Sequence, residues 1–306
     1  MSTASTPQST QAAVEGGVAT KPAPAKTRSV TAGTPIGRFF TYVGVAVIVI
    51  YCLAPFYWMV VSSLRRSTDT FSNEAIPSPA STQNYQDAFA SGNGFARALL
   101  NSLIVAGTTT ILVLIVGTLT AYALARLEFR FKNLALGIII TTSMFPVITL
   151  LVPLLRLFTD IGWINTYQAM IVPSMSFALP LAVWILTTFF QQMPYELEEA
   201  AQIDGCTPAQ AFRKVILPLA APGVFTTAIV VFIASWNEFM IALAVINDAS
   251  LKTAPVITSQ FTGQFGRDTP FGTIMAAGVL VTIPLVVMVL LFQRRIVAGL
   301  TAGGVK

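Results

Sequence analysis

The sequence predicts an all-α integral membrane protein: six transmembrane helices, with a cytoplasmic helix-turn-helix loop between the fourth and the fifth. Three observations predict it. Apolar residues make up 54% of the chain and charged residues 10%, against about 25% charged in soluble domains. So few charges cannot clothe a surface in water, so lipid must be the solvent for much of the chain. Six stretches approach the roughly 20 apolar residues that a helical span needs. A polar, helix-forming insert with its own start and stop signals separates the fourth stretch from the fifth.

Residues Met1 to Thr34 are rich in Ala, Ser, Thr, Pro and Gly and read as a disordered cytoplasmic tail. No apolar core of signal-peptide type precedes Phe39, so the first span is expected to stay in the mature protein. The spans are expected at Phe39 to Val61, Leu99 to Ala125, Leu134 to Leu155, Ala169 to Phe190, Gly223 to Val245 and Thr273 to Phe292. Together they define a six-span transmembrane domain over 35–298, followed by a short cytoplasmic tail at 299–306. Pro146, Pro153, Pro173, Pro180 and Pro284 interrupt the apolar runs and predict kinks, which either line a cavity or serve ordinary bundle packing.

Loop charges set the orientation. With the N-terminus inside, the cytoplasmic side carries twelve Lys and Arg residues, among them Arg38, Arg126, Arg130, Arg213, Lys214 and Arg294, and the other side six, among them Arg65, Arg66, Arg156 and Lys252. Both termini are therefore expected in the cytoplasm. The net charge of +5 reports this bias rather than nucleic-acid binding, since no basic cluster with interleaved aromatics occurs.

The insert reads as two short helices. Tyr195 to Asp204 forms the first: Pro194 suits its first turn, glutamates crowd its N-terminus and Gly205 stands where it ends. Thr207 starts the second, with Pro208 in the first helical position and Gln210 at capping-box spacing. Arg213 and Lys214 fall in its expected last turn, and Pro218 and Pro222 follow. Ala200, Ala201 and Gly205 leave little side-chain bulk, so another protein can approach closely, and Glu196 and Glu199 lie on neighbouring turns where they can meet its cations. A solvated amphipathic loop accounts for the charges, but not for the small residues, the Gly and the terminal Ile216-Leu217-Pro218 occurring together.

Several function classes are excluded. The chain has no histidine, which removes Ser-His catalysis, imidazole metal sites and proton relays. Cys52 and Cys206 alone make no zinc site, and a disulfide between a span and the loop is not expected. No catalytic set, metal site or bound cofactor is assigned. No phosphate-binding Gly-rich loop with Lys-Ser/Thr occurs either, so ATP, if it drives the protein, must bind another polypeptide.

The run Glu199-Ala200-Ala201, then Asp204-Gly205, then Ile216-Leu217-Pro218 resembles the coupling loop of ABC-importer permeases. Asn84-Tyr85 with Phe89, Ala121-Tyr122-Ala123-Leu124-Ala125-Arg126, Ser235-Trp236-Asn237-Glu238-Phe239 and the C-terminus from Gly299 are similar to the carbohydrate class, in particular to the smaller permease of maltose-type importers. This implies a permease subunit of an ATP-driven sugar importer, multi-pass in the bacterial inner membrane, that works by alternating access. The implied partners are a second homologous permease, two ATP-binding subunits carrying ATP and magnesium, an extracytoplasmic solute-binding protein, the sugar and membrane lipid, with no nucleic acid.

The resemblance assigns the ATPase-coupling role to Glu196, Glu199, Ala200, Ala201, Asp204, Gly205 and Pro218. It assigns an ATPase-contacting tail to Leu300, Thr301, Gly303 and Gly304. The loop Asn247 to Gly272, with Gln260, Thr262, Gly263 and Gln264, is implied to reach the solute-binding protein; the alternative is a mobile connector. Glu238 is the one acidic residue placed inside a span, with Asn237 beside it. The pair either lines the polar pathway or forms a buried strut. Two competing readings are an ABC permease for another solute class and a stand-alone ion-driven transporter, although the latter is expected to carry charges in several spans or repeated halves.

Overall fold

Every long apolar run folds as helix, and no strand occurs among the described residues. The structure is a computed structural model that describes residues 35–69, 72–90, 94–261 and 270–302, with 294–302 described by backbone alone. The expected tail Met1 to Thr34 lies outside the described residues, as do Thr262, Gly263, Gln264, Gly303 and Gly304. The helices are α1 (Pro35–Ser63), α2 (Gln83–Phe89), α3 (Phe95–Arg126), α4 (Lys132–Thr142), α5 (Val147–Asp160) and α6 (Tyr167–Gln191), then the loop helices α7 (Glu196–Ile203), α8 (Pro208–Ala211) and α9 (Leu217–Leu219). They continue as α10 (Ala221–Trp236), α11 (Met240–Val245), α12 (Ala254–Ser259) and α13 (Phe271–Ala302).

The chain divides into two units at Leu53 and Ala54. In the first, the described residues are the opening turns of α1, whose Phe39, Phe40, Tyr42, Ile48, Ile50 and Tyr51 are exposed, as lipid-facing side chains are. All that follows concerns the second unit. Its spine is the pairing of α3 with α6, with α10 laid against both. In their most apolar stretches 39% of α3 and 44% of α6 are buried, against 11% of α13, so α3 and α6 form the interior and α13 the periphery.

Among the described residues four helices are long and apolar enough to cross a membrane, or up to six if each bent pair counts as one span. The expected third span is broken, α4 meeting α5 at 88°. The break falls at Pro146, extended at φ −66° and ψ 124°, because proline lacks the amide the helix needs and disfavours helix in the residue before it. The second bent pair is the loop segment 208–219 with α10, at 71°; separately, the expected fifth span is interrupted at 237–239 between α10 and α11. Pro153, Pro173, Pro180 and Pro284, by contrast, lie inside continuous helices. The last helix runs on to Ala302, so Leu300 and Thr301 are helical in backbone.

Two packing features seat the loop between α6 and α10. A cluster of Ala121, Ala125, Leu186, Phe190, Ile216 and Ala220 joins the ends of α3 and α6 to the segment leading into α10. Gly223 stands where a Cβ would sit 2.5 Å from the Phe189 ring, so only glycine lets α10 start this close to α6.

Candidate functional site

The loop folds from local signals. Helix α7 stops at Gly205, whose φ of +89° is a left-handed conformation that glycine adopts freely. The amide of Cys206 then donates to Ala201 O at 2.9 Å and that of Gly205 to Gln202 O at 3.0 Å, closing the helix end. The capping box forms in both directions: Gln210 N donates to Thr207 Oγ1 at 3.3 Å, and Thr207 N to Gln210 Oε1 at 3.0 Å. The second helix does not end after Lys214, however. A π-helical turn over Phe212–Ile216 carries it into α9. Pro218 has no amide to give Lys214 O, and the wider turn absorbs that mismatch. Arg213 and Lys214 therefore sit mid-segment rather than at a helix end.

Of the residues assigned to coupling, Glu196, Glu199, Ala200, Asp204, Gly205 and Pro218 are exposed, and Ala201 is buried. The two alanines thus face opposite ways: Ala200 outward, Ala201 into the protein. Sequence reasoning missed Ile203, 86% exposed at the tip of α7. It leaves a large apolar side chain bare on an otherwise polar helix.

The sequence also hid what braces α7. Arg126, at the end of α3, is buried and its Nε lies 3.0 Å from Glu198 Oε1. Its Nη2 donates to Met193 O at 3.0 Å, and its guanidinium stacks 4.3 Å above the Tyr195 ring. The Tyr122 hydroxyl donates to Glu198 Oε2 at 3.2 Å, and the Tyr195 hydroxyl to Ala125 O at 3.1 Å. The Tyr122 ring is itself held against Phe212 and Phe190. Helix α3 is therefore clamped to α7 by one buried ion pair within an aromatic wall. Removing one member of such a pair costs about 3–5 kcal/mol, because the other charge is left buried and uncompensated.

Asn237 and Glu238 lie in the break between α10 and α11. The Glu238 carboxylate accepts the amides of Ile241 at 2.7 Å and Ala242 at 3.0 Å, capping the short α11 and explaining why a span breaks there without a proline. Asn237 is exposed and donates to Ile233 O at 2.8 Å. Neighbouring Trp236 ties α10 to α13 through Nε1–H to Val281 O at 3.2 Å.

At the other end of α3, neutral amides do the holding. Asn101, fully buried, donates from Nδ2 to Ser250 O and Lys252 O, both at 2.9 Å, and accepts the Tyr167 hydroxyl at 2.7 Å. Asn165, at φ 59°, accepts the amides of Asn247 at 2.6 Å and Asp248 at 2.9 Å. Ser102 Oγ accepts the Ala254 amide at 2.9 Å. The base of the loop that contains Gln260 is thus fixed, and Gln260 itself accepts Lys252 Nζ at 2.6 Å. Among the described residues no three His, Cys, Asp or Glu side chains gather as for a metal, and Cys52 and Cys206 are both free thiols.

Comparison with known proteins places this arrangement. A family model described as "binding-protein-dependent transport system inner membrane component" matches residues 113–301. The trehalose transport system permease of Mycobacterium tuberculosis is 45% identical over 256 residues, covering 84% of this chain and 93% of that one. The trehalose/maltose transport system permease of Thermococcus litoralis is 40% identical, covering 88% and 97%, and the sulfoquinovosyl glycerol transport system permease of Agrobacterium fabrum 37%, covering 88% and 94%. Among solved structures, a chain of a bacterial ABC transporter that imports alginate shares the fold, with a TM-score of 0.67 at 18% identity over 86% of this chain and 98% of that one.

Proposed function

The chain belongs to the family of binding-protein-dependent transport system inner membrane components, and on that premise we propose that it is one permease subunit of an ATP-driven importer of a small carbohydrate. The relatives named for trehalose, trehalose/maltose and sulfoquinovosyl glycerol support a glycoside as cargo. A second homologous permease completes the pathway, two ATP-binding subunits supply the energy with ATP and magnesium, and an extracytoplasmic binding protein delivers the solute. The twelve-to-six bias of basic residues supports both termini in the cytoplasm, which six spans satisfy if α4 with α5, and α10 with α11, each cross once.

The observation that carries the reading is the tip of α7. Glu199, Ala200, Ile203 and Gly205 present a small, partly apolar and acidic surface on a helix fixed rigidly behind. Such a surface fits a cleft on an ATP-binding subunit that offers cations to the glutamates. When that subunit moves, α7 moves, and the Arg126–Glu198 pair passes the displacement to α3, which runs the length of the bundle. On the same reading Gln260 is assigned to contact with the binding protein, and Leu300 and Thr301 to contact with the ATPase.

The test is uptake of labelled trehalose, maltose and sulfoquinovosyl glycerol by cells expressing the full set of subunits. Gly205→Asp and Glu199→Lys are expected to abolish uptake while the protein stays in the membrane. Normal uptake by both variants would remove the coupling role.

A further inference from the structure

Resting on the carbohydrate-importer reading, we propose that Ser174, Ser235 and Glu238 form a hydroxyl-binding station for the transported solute inside this subunit. They line one cavity of about 240 Å³ between α6, α10 and α11, walled elsewhere by apolar side chains such as Phe177, Leu181 and Ile241. That volume is far above the roughly 10–15 Å³ one water molecule requires.

The two serines single the cavity out. A hydroxyl on a membrane helix normally bonds back to the carbonyl one turn earlier. Ser176 and Thr188 do so on α6, and Thr226 and Thr227 on α10. Ser174 and Ser235 do not: each is more than nine-tenths buried and its Oγ has no partner. Two orphaned hydroxyls on facing helices border the same space. Glu238 adds acceptor capacity, since each carboxylate oxygen accepts one backbone amide and keeps a lone pair to spare.

Polar groups placed sparsely in an apolar wall are how a pocket orients a ligand it must also release. A sugar ring matches the arrangement: its hydroxyls give and take hydrogen bonds with the serines and the carboxylate, and its C–H face lies on Phe177. An apolar side chain from a partner subunit would leave both serine hydroxyls buried and unmet.

The experiment uses the assembled importer in proteoliposomes, with binding protein and ATP, in a Cys52→Ser/Cys206→Ser background. Ser235→Cys and Ser174→Cys are labelled with a small thiosulfonate ammonium reagent, with and without saturating trehalose, maltose or sulfoquinovosyl glycerol, whichever the parent complex imports. Labelling of both variants, slowed about tenfold by the imported sugar, is the expected result. In parallel, Ser174→Ala/Ser235→Ala is expected to lower the maximal import rate about tenfold while the complex still assembles. No labelling, as when a partner side chain fills the space, overturns the station. So does labelling that imported sugar leaves unchanged, or an undiminished rate in the double alanine variant; the importer reading stands in those cases. Import of none of the three sugars by the parent complex overturns the sugar reading and this station together.

Discussion

The two ends of α3 are held by different chemistry. At its C-terminal end the largely buried ion pair of Arg126 with Glu198, backed by the Tyr122 hydroxyl on the same carboxylate, joins it to α7 beside tyrosine and phenylalanine rings. At its N-terminal end Asn101, Ser102 and, from the turn before α6, Asn165 hold loop backbone by neutral hydrogen bonds. At 1.5 Å per residue the 32 residues of α3 span about 48 Å, which sets the two clusters far apart along one helix. The difference teaches how load is shared. Many weak, redundant bonds keep a loop base fixed. One strong pair concentrates a connection where a helix must follow its partner without slipping.

Breaking each end tests the contrast. Arg126→Ala leaves Glu198 buried without its cation, and a stability loss of about 3–5 kcal/mol is expected, read as the thermal unfolding of the assembled complex. Arg126→Met with Glu198→Leu is expected to recover most of that stability while uptake stays low, because the apolar pair fills space without the directional link.

Asn101→Ala strips two donors' worth of bonds from one residue and leaves the Ser250 and Lys252 carbonyls and the Tyr167 hydroxyl to find others. A loss of about 1–3 kcal/mol is expected, with ATP hydrolysis retained but stimulation by the binding protein reduced. Gly223→Ala drives a methyl into the Phe189 ring and is expected to cost about 1–3 kcal/mol through overpacking, relieved in part by Phe189→Leu. Thr207→Ala, which removes half of the capping box, should have the smallest effect, about 1 kcal/mol, seen as a modest fall in uptake at raised temperature.

What the sequence made legible is what local physics decides. Hydropathy located the long apolar helices, Gly205 and Thr207 announced their turns, and Pro146 marked a true break. The break at Glu238 was missed because it needs no proline: a carboxylate competing for the amides of Ile241 and Ala242 ends one helix and opens another. The π-turn before Pro218 was missed because a short capping pattern gives no measure of how far a helix continues.

The remaining omissions are long-range. Arg126 counted as one loop charge among twelve, since nothing in the spacing pairs it with Glu198. Asn101 and Asn165 carry no local signal, their partners lying far along the chain. Ile203 carries no sequence signal of its own, and only the fold shows that it is bare.

Site-specific photo-crosslinking from position 203 tests the central claim most directly. With a benzophenone amino acid replacing Ile203 in the assembled importer, irradiation is expected to give an adduct with the ATP-binding subunit whose yield changes between nucleotide-free and ATP-trapped states. Adducts formed only with lipid, with the binding protein, or at a yield indifferent to nucleotide would contradict the proposal that α7 receives the motion of the ATPase.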